Sequence, residues 1–156
     1  MKDAAHSIGE ELKGIAIFIG VVWGVFILNW IVFLADFNSF GLVPRTLWGT
    51  VGIVSMPFLH AGWGHLLGNT VPLFILLALL AGSKARSGEI VAKIVVAGGV
   101  LLWLFGRTAT HIGASGLIFG LVAFLIISGL LERRIIPLIV SLAVGILYGG
   151  TLIWGV

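Results

Sequence analysis

The chain has 156 residues, 60% of them hydrophobic and 10% charged, with a mean hydropathy of +1.21, and so has too little polar surface to cover a soluble domain. Its net charge of +3 does not point to nucleic acid, because Lys and Arg fall between apolar runs and not along one polar face. The absence of Cys excludes disulfides, thiolate metal sites and a cysteine nucleophile.

These bounds predict an all-α integral membrane protein, a polytopic helical bundle. Residues 1–13, with Lys2, Asp3, Glu10, Glu11 and Lys13, read as a polar N-terminal segment at the membrane surface, and residues 14–156 as the membrane domain. The first apolar run, Gly14 to Ala35, has 22 residues, a full crossing at about 1.5 Å per residue. It is too long for a signal-peptide core and reads as a retained span. Its polar residue, Asn29, is expected to bond to a neighbouring helix or to backbone.

From Asp36 to Gly64 runs a long connection, apolar in places but broken by Pro44, Pro57 and several glycines. Such a segment lies in the membrane interface and does not cross. A second span is expected from His65 to Ala81, a third from Ile90 to Phe105, a fourth from Ile112 to Leu131 and a fifth from Ile135 to Val156. Seven cations (Lys2, Lys13, Lys84, Arg86, Lys93, Arg133, Arg134) fall on one side of this five-span arrangement and two (Arg45, Arg107) on the other. The positive-inside rule then puts the N-terminus in the cytoplasm. It also brings two polar clusters, His60 to Asn69 and His111 to Ser115, to the same exterior face.

The second cluster contains Gly113-Ala114-Ser115-Gly116 at the opening of the fourth span. A hydroxyl flanked by small residues at a helix start gives a substrate backbone room to approach and lies in the positive end of the helix dipole. Close helix packing through Gly116 and Gly120 is the plainer reading of the same residues. In the first cluster His65 and Asn69, at i and i+4, share a helix face, with His60 in the entering loop. They read either as a hydrogen-bonded helix start or as donors to an oxyanion.

Other intramembrane chemistries lack their residues. His60 and His65 are followed by Ala61 and Leu66, so there is no His-Glu-x-x-His zinc helix. No pair of carboxylates lies within the spans, and Leu117 breaks the Gly-x-Ser-x-Gly elbow. Serine chemistry with a histidine base remains, and haem ligation by two of His60, His65 and His111 stays as an alternative.

His60-Ala-Gly-Trp-Gly-His65-Leu-Leu-Gly-Asn69 resembles the His-x4-His-x3-Asn signature of the rhomboid intramembrane serine proteases, and Gly113-Ala-Ser115-Gly116 resembles their Gly-x-Ser-Gly. Motif order, the gap between the motifs and the approach Pro57-Phe58-Leu59 also fit. The resemblance implies a rhomboid helical core in which Ser115 attacks a peptide bond in or near a transmembrane segment of a substrate protein. It makes His65, Asn69 and the Ser115 backbone N–H the oxyanion donors, with His60, Gly113 and Gly116 in supporting places. It implies no metal or organic cofactor, transmembrane proteins and the lipid bilayer as partners, and a site near the exterior face. The small size and short N-terminal segment point to a prokaryotic plasma membrane. The family's general base is a histidine on a sixth helix that has no counterpart in these residues. The expectation is therefore five of six helices, with the base not in this sequence; a catalytically silent binder of transmembrane helices is the alternative.

Overall fold

The computed structural model describes residues 8–32, 36–83 and 86–154. The helices among them are α1 (Ile8–Ile31), the single turn α2 (Gly52–Ser55), α3 (Trp63–Ser83), α4 (Ser87–Phe105), α5 (Ser115–Leu131) and α6 (Ile135–Trp154). The connection between α1 and α3 also holds short 3₁₀ turns at Phe37–Phe40, Trp48–Thr50 and Met56–Phe58. The predicted helical membrane bundle is thus the observed architecture. α1, α3 and α4 are each long and apolar enough to cross a bilayer. α5, at 17 residues, is about 25 Å long and falls a little short of a 30 Å hydrocarbon core.

Several boundaries differ from expectation. α1 continues through the polar residues Glu10 to Lys13, because an N-terminal turn tolerates carboxylates near the positive end of the dipole. α4 starts at Ser87, three residues before Ile90, after Arg86 reverses the chain at φ 61°. The opening residues, His6 among them, and Lys84 lie outside the described residues.

The centre of the bundle is where α3 meets α5. Leu73, Leu76, Leu77, Leu80 and Ala81 form a buried stripe at helical spacing, facing Leu117, Ile118, Leu121, Val122 and Leu125. α6 packs along α5, where Gly145 lets Val122 approach; a β-carbon there would come within 2.9 Å of Cγ1. Large apolar side chains such as Ile17, Trp30, Phe74, Leu101 and Leu131 face outward, which suits lipid. Helix association in lipid gains little from apolar burial, since acyl chains are equally apolar, so close packing and hydrogen bonds matter more. Trp23 Nε1 donates to Thr70 Oγ1 at 3.2 Å between α1 and α3. As expected for Asn29, its Oδ1 accepts the Phe37 N–H at 2.8 Å, tying the end of α1 to the connection that follows.

That connection is fastened to α4 by Arg45. Its Nη1 donates to the carbonyls of Leu104 (3.1 Å) and Gly106 (2.9 Å), and its Nη2 to Thr108 Oγ1 (3.1 Å). A guanidinium here satisfies carbonyls that the end of α4 leaves without helical donors and complements the dipole. Trp103 Nε1 reciprocates by donating to the Thr46 carbonyl at 2.9 Å. Arg45→Ala should lower stability by about 1–2 kcal/mol, a modest value because the bonds are exposed. A thermal midpoint within error of wild type in the same detergent would refute the clamp.

Candidate active site

Three chain segments converge where α3 and α5 begin. The first is the start of α3, with His65 at its third residue and Asn69 one turn later. Asn69 is 2% exposed, and its Nδ2 donates back to the His65 carbonyl at 2.9 Å. This bond fixes the direction of the carboxamide; an amide left unbonded at that depth would cost several kcal/mol.

The second segment, residues 111–114, is held by the interfacial connection. Leu42 and His111 form an antiparallel bridge, each N–H donating to the other's carbonyl, with N···O distances of 2.9 and 2.8 Å. Two residues on, the Gly113 N–H donates to the Met56 carbonyl at 2.9 Å. The backbone before Ser115 is therefore strapped at two points to residues more than fifty positions earlier. Gly52 allows the strap to fold so tightly, because a β-carbon there would fall 2.1 Å from the α-carbon of Leu42.

The third is the first turn of α5. The helix was expected from Ile112 but begins at Ser115, because Gly113 has φ +110°, a conformation outside the helix and open in practice to glycine. The delay makes Ser115 the first helical residue. The Ala114 carbonyl takes the Ile118 N–H, while the N–H groups of Ser115, Gly116 and Leu117 have no acceptor within the helix. The sequence there places no acidic side chain in that turn to quench the dipole.

The three segments meet at Gly113. A β-carbon on it would stand 2.4 Å from His65 Nε2 and 3.7 Å from Asn69 Nδ2. The imidazole thus rests against the bare α-carbon, two residues before the Ser115 hydroxyl. Ser115 itself is half-buried. Gly116 faces Met56 and Gly120 faces Ile94 of α4, so the two glycines that read as one packing pair serve two different neighbours.

His60 lies behind His65, the rings 5.0 Å apart and inclined at 62°. That edge-to-face contact leaves no room for a porphyrin between the two rings, which removes the His60–His65 pair as axial haem ligands. His60 is 2% exposed, and among the described residues neither ring nitrogen has a hydrogen-bond partner. Burial pushes its pKa down from 6.5 to about 4; the neighbouring His65 adds to the fall and the backbone of Phe58 opposes it. The folded value lies below the unfolded one, so neutral His60 gives its full share of stability above pH 6.5, and that share is lost as the pH falls through about 4. Between those limits the thermal midpoint should drop more steeply in wild type than in His60→Gln; parallel curves would show that the ring is not held neutral.

His111 is set apart by the bridge, its Nε2 3.0 Å from the Arg107 carbonyl. Met56, Leu42 and Arg45 were not singled out from the sequence, although they hold the segment before Ser115. The available signal was the close spacing of Gly41, Gly49 and Gly52, which marks tight backbone approach within the connection.

The Rhomboid domain family matches residues 44–156. Uncharacterized proteins of Mycobacterium bovis and Mycobacterium tuberculosis are each 41% identical over 121 residues, covering 72% of this chain and 50% of theirs. One of Mycobacterium leprae is 40% identical over 129 residues, covering 76% of this chain and 49% of its own length. The chain spans about half the length of the curated relatives it matches. No solved structure matches it significantly.

Proposed function

Since this chain belongs to the rhomboid family, we propose that it is the catalytic part of an intramembrane serine protease that cleaves peptide bonds in or near transmembrane segments of membrane proteins. The observation that carries the reading is the convergence at Gly113, where the start of α3 with His65 and Asn69 meets the chain that delivers Ser115 to the first turn of α5. Ser115 Oγ attacks the scissile carbonyl carbon; the carbonyl oxygen becomes an oxyanion, and collapse of the tetrahedral intermediate expels the amine and leaves an acyl-enzyme for water to hydrolyse. His65, the Asn69 carboxamide and the Ser115 N–H supply donors to the developing charge, and each such donor is typically worth a factor of about 10²–10³. Gly113 and Gly116 keep the approach clear, and His60 supports the His65 ring from behind.

The reading also needs a proton acceptor for Ser115. None of the rings of His60, His65 and His111 is hydrogen-bonded to its hydroxyl among the described residues. The test therefore uses the full-length gene product in native membranes, treated with a serine-directed fluorophosphonate and mapped by mass spectrometry. An adduct on Ser115 is expected. A full-length protein that retains transmembrane helices but takes up no phosphonate would replace this reading with that of a silent binder. The excess of cations at the α3–α4 and α5–α6 turns supports a cytoplasmic location for those turns, which puts the site on the exterior side of a plasma membrane.

A further inference from the structure

At the end of the bundle away from Ser115, a groove of about 620 Å³ runs between the last turns of α3 and the turn joining α5 to α6. Its walls are apolar, formed by Ala78 and Leu79 on one side and Ile135, Ile136 and Pro137 on the other, and its rim carries Arg133 and Arg134. We propose that this groove binds an anionic phospholipid, with the phosphate held by the two guanidinium groups and one acyl chain lying between α3 and α6.

The turn is built to present those arginines. α5 ends at Leu131, and Arg133 takes the left-handed conformation at φ 54°, unusual for a residue with a β-carbon. The Arg134 N–H returns to the Gly129 carbonyl at 2.8 Å, and Gly129 sits so close to the turn that a β-carbon would come within 3.1 Å of the Arg134 carbonyl oxygen. The backbone is therefore fixed while both arginine side chains remain exposed. The one carboxylate of the turn, Glu132, accepts a hydrogen bond from Ser128 Oγ at 3.2 Å.

Charge and shape together select the occupant. Guanidinium pairs bind phosphate oxygens bidentately, and basic pockets between membrane helices are suited to anionic headgroups. A soluble phosphate would use only the rim. The exposed Ile135 and Ile136 beside it, 67% and 72% accessible, offer an apolar bed that only a lipid chain would cover in place. α5 separates the groove from Ser115 by about 25 Å, so occupancy is read independently of proteolysis.

Native mass spectrometry of the full-length protein, with phosphatidylglycerol and phosphatidylcholine of identical chains supplied in equal amounts, tests the site. Retention of phosphatidylglycerol over phosphatidylcholine by roughly ten-fold is expected. The double variant Arg133→Gln/Arg134→Gln should bring the ratio near one. Ala78→Trp, which fills the groove and keeps both cations, should also lose the bound lipid, whereas Arg86→Gln on the neighbouring turn should retain it. Equal retention of the two lipids by wild type would overturn the proposal, as would an Arg86→Gln loss matching the double variant, the mark of diffuse surface attraction. Displacement by millimolar glycerol phosphate would point to a headgroup anion site without a chain, and would equally reject it.

Discussion

Ser115→Ala should abolish both phosphonate labelling and substrate cleavage, with a fall in turnover of at least about 10⁴-fold, as expected when the nucleophile of a serine hydrolase is removed. The size of the effect follows from the chemistry, since no other group at the first turn of α5 can form the acyl-enzyme: Gly113, Ala114 and Gly116 carry no nucleophile. Stability should change little, because Ser115 is half-buried at a helix start whose cap makes no side-chain hydrogen bond. The variant is thus expected to reach the membrane at wild-type levels and to unfold within a few degrees of wild type. Cleavage that persists in Ser115→Ala would move the nucleophile elsewhere. Unfolding of the variant would instead make Ser115 a structural residue, and Ser115→Cys, which keeps size and nucleophilicity, would separate the two outcomes.

Gly113→Ala is expected to have the second largest effect, for two reasons that act at the same atom. A methyl group there would stand 2.4 Å from His65 Nε2 and 2.6 Å from Cε1, well inside van der Waals contact, so the ring or the backbone has to move. The backbone at φ +110° is also strained for any residue with a β-carbon, at a cost of about 1–3 kcal/mol. His65 is the proposed oxyanion donor, and misplacing a catalytic group by about 1 Å costs on the order of 10²-fold in rate. Turnover should therefore fall at least that far, with a lower thermal midpoint. Gly98→Ala on α4 is the control: its added carbon would meet nothing within 4 Å and lies outside the site, so the loss should be much smaller. If the two alanine variants behave alike, the contact between His65 and Gly113 has no part in the reaction.

Much of this was legible in one dimension. The apolar runs and the cations between them required a helical membrane bundle, because a backbone in lipid must satisfy its own hydrogen bonds. The i, i+4 spacing of His65 and Asn69 put them on one helix face whatever the rest of the fold did. The pairing of that motif with Gly113-Ala114-Ser115-Gly116 was specific enough to indicate the family now matched over residues 44–156. Local chemistry was sufficient in each case, since helical periodicity and polar residues at membrane depth carry their meaning in adjacent positions.

The connection from Asp36 to Gly64 was not legible in the same way. From composition it was an interfacial segment; in three dimensions it is the frame of the site, with Arg45 on the end of α4, Leu42 bridged to His111 and Met56 holding Gly113. Those partners lie fifty-seven to sixty-nine positions apart, and backbone hydrogen bonds leave no mark in side-chain identity by which to pair them. The start of α5 depended on the same contacts. Apolar periodicity carried that helix back to Ile112, but the strap at Met56 and the positive φ of Gly113 delay it to Ser115, and so put the hydroxyl and an uncommitted N–H at the same helix end. Residue types thus determined which groups are present and which face of α3 carries them, while long-range backbone contacts decided where those groups meet.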